Sequence, residues 1–201
     1  MLRFAAEELR RRGSGCAIDL GCGAGRNAVP LAQLGWVVVG LDDSAPMLAG
    51  AARRARAAGV EERTRLVLAP MDDLPVRDRS CDLVVAHGIW NLARSAGEFR
   101  QAVREAARVA SPGAGLFIFT FSRNTFGPDV EPVFGEPFVF TQFSGRPQCF
   151  LTDTQLVSEL GEAGFSPLPG SSLREYNRRG LDSIPTGIAP VIYEAVFRRD
   201  G

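Results

Sequence analysis

The chain has 201 residues, 45% hydrophobic and 23% charged, and its 23 Lys and Arg balance 23 Asp and Glu to a formal net charge of +0. That balance suits one globular domain, residues 1–201, with a sizeable core, and it speaks against a nucleic-acid partner, which calls for a basic footprint. The arginine groups Arg10 to Arg12, Arg53 and Arg54, and Arg178 and Arg179 are interleaved with acids and read as solvated faces.

Met1 to Gly15 reads as a short charged helix without the apolar centre of a signal peptide. Cys16 to Leu20 is a buried strand, and the glycine-rich turn Gly21-Cys22-Gly23-Ala24-Gly25 leads into a helix over Arg26 to Leu34, stopped by Gly35. Trp36 to Leu41 is a second strand. Ser44 is placed to cap a helix running to about Ala58, with Gly59 beyond it. Arg65 to Ala69 and Cys81 to His87 read as the third and fourth strands, and Ala96 to Ala110 as a helix closed by Ser111-Pro112-Gly113. Leu116 to Phe121 is the fifth strand, and Thr152 to Ala163 a helix capped by Thr152 or Asp153 and stopped by Gly164. Ser171 to Tyr176 and Val191 to Arg198 read as strands joined by an irregular loop.

Strands alternating with helices predict an α/β fold in three layers. Its sheet has about seven strands, mostly parallel, with an antiparallel hairpin at the C-terminal edge. Ser122 to Leu151 breaks the rhythm. A connection of that length is functional or disordered as a rule, and its six phenylalanines argue against disorder. The four cysteines, Cys16, Cys22, Cys81 and Cys149, form no C-x-x-C pair and have no partnering histidine spacing, so no metal site is expected and a reduced, cytoplasmic setting is. No apolar run has the length of a membrane span.

The glycine turn carries the most information. Glycines where a strand meets a helix permit backbone angles that a Cβ forbids, and the free N–H groups at the helix start suit an anionic group. Here the spacing is Gly-x-Gly-x-Gly, which departs from the dinucleotide fingerprint. With Asp42 ending the second strand and Asp72 following the third, the stretch from Cys16 to Phe121 resembles class I S-adenosylmethionine-dependent methyltransferases, which implies a Rossmann-like sheet and S-adenosyl-L-methionine as cofactor. In that family the first-strand acid and glycine loop hold the methionine moiety, which maps to Asp19, Gly21, Cys22, Gly23 and Gly25. The acid after the second strand accepts from the ribose hydroxyls (Asp42, with Asp43 beside it), and the acid after the third accepts from the adenine amino group (Asp72), with Met71 against the ring. NAD enzymes also use an acid at the position of Asp42; Asp72 tips the choice. Met47 and Leu48 match the family's D-x-S-x-x-M-L segment, in a cofactor-side or helix-packing role.

His87, the single histidine, closes the fourth strand, beside the expected sulfonium pocket and with a pKa near neutrality, as a residue that orients or deprotonates the acceptor or simply packs at the strand end. Trp90, Asn91, Arg123 and Phe143 are candidates for the acceptor side, with Ser122 and Asn124 nearby and Tyr176 and Asn177 as further candidates. The resemblance extends to small-molecule methyltransferases, the tellurite-resistance-like group among them. The expected function is therefore methyl transfer to a small molecule by a monomer or homodimer. Residues 122–151 would wall the acceptor pocket and favour an apolar or aromatic molecule, or else serve as a flap or dimer contact. Two alternatives stay open: a nicotinamide-dependent oxidoreductase, and a module that binds the cofactor without turnover.

Overall fold

A computed structural model describes residues 1–177 and 189–201. The Arg178–Arg179 group and most of the loop expected after Tyr176 lie outside the described residues. The elements run α1 (Leu2–Arg12), β1 (Cys16–Leu20), α2 (Ala28–Leu34), β2 (Val37–Asp42), α3 (Ala45–Ala57), β3 (Thr64–Leu68), β4 (Cys81–His87), α4 (Ala96–Val109) and β5 (Ala110–Phe121). They continue as β6 (Val139–Phe140), β7 (Gln148–Cys149), α5 (Asp153–Glu162), β8 (Phe165–Pro167), β9 (Arg174–Tyr176) and β10 (Ile192–Arg199).

The main sheet has the order β3-β2-β1-β4-β5-β10-β8, with β9 also paired to β10. From β3 to β5 all neighbours are parallel, whereas β10 runs antiparallel to β5, β8 and β9. The chain builds outward from β1 through β2 to β3 and then crosses back to lay β4 on the other side of β1. That reversal leaves a crevice at the carboxyl ends of β1 and β4, where open α/β sheets bind ligands.

Side-chain alternation along the strands divides the core into two layers. Ile18, Leu20, Val84, Ala86, Leu116 and Ile118 face α4 and α5, whereas Ala17, Val38, Leu83, Val85 and Phe117 face α1 and α2. Helix α4 owes its seat to a regular apolar stripe, with Phe99, Ala102, Val103, Ala106 and Val109 all buried. Its first turn is capped by Ser95, whose hydroxyl accepts from the Glu98 amide at 3.0 Å. Helix α5 begins with a reciprocal box: the Thr152 hydroxyl accepts from the Gln155 backbone N–H at 3.1 Å, and the Gln155 side-chain Oε1 accepts from the Thr152 N–H at 2.9 Å.

Residues 122–151 fold as a compact aromatic unit around the short β6–β7 pair. Phe126 stacks on Phe140 at 5.1 Å between ring centroids, and Phe150 packs on Phe126 at 4.7 Å. Phe138 meets Phe99 of α4 edge-on at 5.3 Å, and Glu136 accepts from the Ala96 N–H at 2.8 Å, so the unit is tied to the start of α4.

The base of the molecule is locked by a buried acid. Glu8 of α1 accepts both Nη groups of Arg198 in β10, at 2.6 and 2.7 Å, and Arg11 Nη2 at 2.7 Å. Burial raises its pKa, but these hydrogen bonds overcome that and hold it at about 2, against an ordinary 4.5. A depressed carboxyl stabilises the fold fully above its unfolded pKa, so this contribution is complete above about pH 4.5 and is lost as the pH falls towards 2. Glu8→Gln is expected to cost about 2–3 kcal/mol at pH 7, the worth of hydrogen bonds to charged groups, and to flatten the acid limb of the melting-temperature profile. Retention of the full acid slope in calorimetric melts of that variant would refute this assignment.

Candidate active site

Parallel registry brings four strand ends level: Leu20 lies beside Leu41 and Ala86, and Asp42 beside Leu68. Beyond them the chain turns at Gly21 and Gly23, both in the left-handed region at φ 63° and 52°. A Cβ on Gly21 would overlap the Ile89 side chain, whereas one on Gly23 would meet nothing within 4 Å, so the loop is open to solvent at Gly23.

Asp42 organises this turn. Its Oδ2 accepts from the Gly23 N–H at 2.8 Å and its Oδ1 from the Ser44 N–H at 3.0 Å. Each carboxylate oxygen has lone-pair capacity for a second donor. The Ser44 hydroxyl makes no cap bond to α3, so the cap expected of it is not formed; the Ser44 amide serves Asp42 instead.

A cavity of about 360 Å³ lies over these tips. Of the residues expected to bind cofactor, Gly21, Asp42, Asp43, Met71 and Asp72 line it. Leu20, Leu41, Pro70, Leu74 and Ile89 add an apolar wall, and Leu92, Arg94 and Glu98 close the far side. Nothing in the sequence singles out that last group: Arg94 precedes α4, and only the fold pairs it with Glu98, at 3.2 Å, on the rim of the cavity.

Asp19 sits beneath the loop, fully buried, and neither carboxylate oxygen finds a donor in hydrogen-bond geometry. Burial pushes its pKa up to about 7 against the opposing pull of Asn27 and the Ala28 amide, and the nearby charge of Asp42 adds a smaller upward push. A buried carboxylate with no donor in hydrogen-bond geometry is what an amino-acid ammonium would satisfy.

Several expected site residues sit elsewhere. Cys22 turns its side chain into the core beneath Gly40, and burial with the neighbouring carboxylates pushes its thiol up to about 12; only its backbone belongs to the loop. Gly25 faces Val29 and Ala51, so its small size serves helix packing. Met47 is 50% exposed and neither lines the cavity nor packs on the sheet, whereas Leu48 does pack there.

On the acceptor side the corrections are larger. Trp90 is fully buried against Phe99, at 6.1 Å between centroids, because the 3-10 turn Trp90–Leu92 points the indole into the α4 layer. Asn91 is buried beside it, and Trp90 Nε1, Asn91 Oδ1 and the Thr120 hydroxyl, which the sequence reading missed, have no partner. Arg123 turns back on its own loop, donating to the carbonyls of Phe126, Gly127, Pro128 and Val130, with its guanidinium 5.0 Å over the Phe140 ring. Ser122 and Asn124 both donate to Glu175. No residue of 122–151 lines the 360 Å³ cavity; the side chains expected to wall it are spent on the unit's own core and on α4.

His87 lies outside the cavity too. It projects from the α1 and α2 side of the sheet, tilted against Phe119 at 4.6 Å and near Phe117 at 5.8 Å between ring centroids. Burial, with the field of Arg26, lowers its pKa rather than leaving it near neutrality, and its Nδ1 has no partner. Among the described residues no cluster of His, Cys, Asp and Glu can hold a metal, and no helix is long and apolar enough to cross a membrane.

A family profile described as a methyltransferase domain matches residues 18–119. The demethylmenaquinone methyltransferase of Lactiplantibacillus plantarum is 31% identical over 74% of this chain and 69% of its own length. The ubiquinone/menaquinone biosynthesis C-methyltransferase of Geotalea daltonii is 28% identical over 62% of this chain, which spans only 53% of that protein. The Burkholderia thailandensis 1,6-didemethyltoxoflavin-N1-methyltransferase, solved with bound 1,6-didemethyltoxoflavin and S-adenosylhomocysteine, has the same fold. Its TM-score is 0.71, with 19% identity over 100% of this chain and 78% of that one. By profile, relatives and fold together, the chain belongs to the methyltransferase-domain family, as a class I S-adenosylmethionine-dependent methyltransferase with S-adenosyl-L-methionine as its cofactor.

Proposed function

We propose that this chain methylates a small, ring-bearing acceptor, with Asp42 and Asp72 gripping the nucleoside of the cofactor and Asp19 with the glycine loop holding its amino-acid end. The observation that carries this reading is the convergence of Gly21, Asp42, Asp43, Met71 and Asp72 on one cavity. Two acids reached from different strands suit ribose hydroxyls and an adenine amino group, and the half-buried Met71 offers a polarisable face for a ring. When bound, the cofactor supplies a methyl already activated on sulfur, so that an acceptor lone pair or carbanion bonds to carbon while the C–S electron pair stays on sulfur.

The protein's part is then chiefly alignment and the exclusion of water. A general base is needed only where the acceptor must lose a proton. His87 is the proposed residue for that, or for holding an acceptor hydroxyl: it is half-buried, and the Gly88-Ile89 turn that follows it borders the cavity. The acceptor class is supported by the names of relatives that act on demethylmenaquinone and by the toxoflavin precursor in the related structure. A small molecule rather than nucleic acid, a cytoplasmic setting, and a monomer or homodimer of a single domain complete the proposal.

Calorimetric titration with S-adenosylhomocysteine and, separately, NAD is the direct test. Micromolar binding of the first and none of the second is expected; the reverse order would return the chain to the oxidoreductase reading. Label transfer from methyl-labelled S-adenosylmethionine to reduced naphthoquinones then separates an enzyme from a binding module.

A further inference from the structure

The end of the sheet opposite the cavity brings two thiols together. Cys16 opens β1 and Cys81 opens β4, and these strands are parallel neighbours with Ala17 beside Leu83. The Cys16 N–H donates to Asp82 Oδ2 at 3.0 Å, which ties the two strand starts to one another. Alternation back from Val84 and Ala86 would turn Asp82, not Cys81, towards the α4 layer. The irregularity in register between Cys81 and Leu83 reverses that. Asp82 pairs instead with Arg12 of α1 at 3.0 Å, and Cys81 joins Ile18 and Val84 in the α4 layer, where Cys16 packs as well.

Both side chains therefore lie on one face. Adjacent strands are about 4.8 Å apart and rise about 3.3 Å per residue, so neighbours one step out of register have Cα atoms roughly 6 Å apart. A disulfide spans Cα separations of about 4.4–6.8 Å. Access differs between the two. Cys81 is fully buried, and of the four cysteines Cys16 alone is partly exposed. No helix interrupts the connection from β3 to β4, and the α4-side face of the outer strands is partly bare near its base. Val37, beside Cys16 in register, is 43% exposed there. The neighbouring Cys81 thiol lowers the pKa of Cys16, ahead of burial and Asp82, which raise it, and Arg65, which lowers it further.

We propose that Cys16 and Cys81 form a reversible oxidation site for a small hydroperoxide, with Cys16 as the attacking thiol and Cys81 as the resolving one. The Cys16 thiolate bonds to the outer oxygen, the O–O bond breaks, and an alcohol (water, from hydrogen peroxide) leaves with the proton that Cys16 gave up. The Cys81 sulfur then attacks the sulfenic acid, the S–O bond breaks, and the oxygen leaves as water with the Cys81 proton. Two thiols lose two electrons and two protons in all, and the hydroperoxide is reduced to alcohol and water. A thiol reductant reverses the change by exchange. In a reducing setting such a bond is transient. Its use is to spare Cys16 from further oxidation and to brace β1 against β4 while the oxidant lasts. The site needs nothing from the cofactor reading.

The test treats the reduced full chain with equimolar hydrogen peroxide and follows it by intact mass, peptide mapping and a melting curve. Expected are the loss of two hydrogens, a linked pair of peptides carrying Cys16 and Cys81, a raised melting temperature and full reversal by dithiothreitol. Cys81→Ala keeps a small apolar side chain and should leave Cys16 carrying added oxygen in place of the link. Cys16→Ala should leave Cys81 unmodified under the same treatment. Added oxygen on Cys16 of the parent without a link, a link through Cys22 or Cys149, or four unchanged thiols would overturn the proposal. So would a link that lowers the melting temperature, because it marks a bond made only in unfolded chains. Should Cys81→Ala fail to fold, the parent's peptide map and Cys16→Ala decide.

Discussion

Asp42→Ala is expected to lower the affinity for S-adenosylhomocysteine by about 100-fold, the largest loss from any single change at the cavity rim. Two contributions add. The variant removes the anionic acceptor offered to the ribose hydroxyls, and charge-assisted hydrogen bonds are each worth about 1.5–3 kcal/mol. It also orphans the Gly23 and Ser44 N–H groups that Asp42 now satisfies at 2.8 and 3.0 Å, so the glycine loop loses the anchor that holds it at positive φ. Asp42→Asn separates the two effects. An amide presents one oxygen and one NH₂, so it can serve only one of those donors and must turn a donor towards the other. It should fall between the parent and the alanine variant. Asp43→Ala, an exposed change on the same rim, should cost less than about fivefold, in line with a screened surface charge. The measurement is calorimetric titration beside a melting curve. A loss below threefold in Asp42→Ala would remove Asp42 from the cofactor's grip.

The parts of this fold that are legible in the sequence are those decided locally. β1, β2 and β4 are mainly apolar runs, broken only by Asp19, Gly40 and Asp82 and ended at Gly21, Asp42 and His87, and the structure finds them within a residue or two of expectation. The parts that are not legible depend on distant partners. Ser111-Pro112-Gly113 reads as a breaker, yet β5 begins at Ala110, because Ala110 pairs with Cys81 and the extra residues are absorbed by an irregularity in register before Leu83. β8 is three residues ending in Pro167, too short to announce itself, and it persists because Phe165 is fully buried and β10 offers it an edge.

The site divides in the same way. Asp42 ends β2 and Asp72 follows β3 within one turn, and strand ends are readable; the direction of a side chain after a strand end is not. Trp90 follows β4 as a cleft residue would, but Phe99, nine positions on, draws it into the core. His87 ends the same strand on the other face, and it takes Phe119 from β5 to show which face that is. The aromatic run in 122–151 announces burial by its composition, but not what it buries against. Its rings meet mainly one another and Phe99, with Phe143 left at the margin against Phe121.

The buried Asp19 carries the second large effect, on the pH dependence of cofactor affinity. In the free protein its pKa stands at about 7, raised chiefly by burial from 3.8. A carboxyl raised in the folded state favours folding below its unfolded pKa, and that advantage is lost as pH rises through the folded value; the empty protein is therefore expected to lose stability between about pH 4 and pH 7. Cofactor affinity runs the other way. A ligand ammonium at the loop prefers the ionised carboxylate, so below pH 7 binding must first expel a proton. For a pKa of 7, that costs a factor of about 25 between pH 7.5 and pH 5.5 by linkage. Asp42 is the other acid that bears on this group, and it already serves two amides; the Cys22 thiol, at about 12, stays neutral throughout. Asp19→Asn is nearly isosteric and cannot ionise. It should flatten the profile and lower S-adenosylhomocysteine affinity at pH 7.5 by about tenfold, the scale of one lost charge interaction in a dry site. Titrations of parent and variant at pH 5.5, 6.5 and 7.5, with proton release read from buffers of different ionisation enthalpy, give both quantities. A parent protein that binds equally well at all three values, with no proton released, would mean that Asp19 is held neutral for the fold alone.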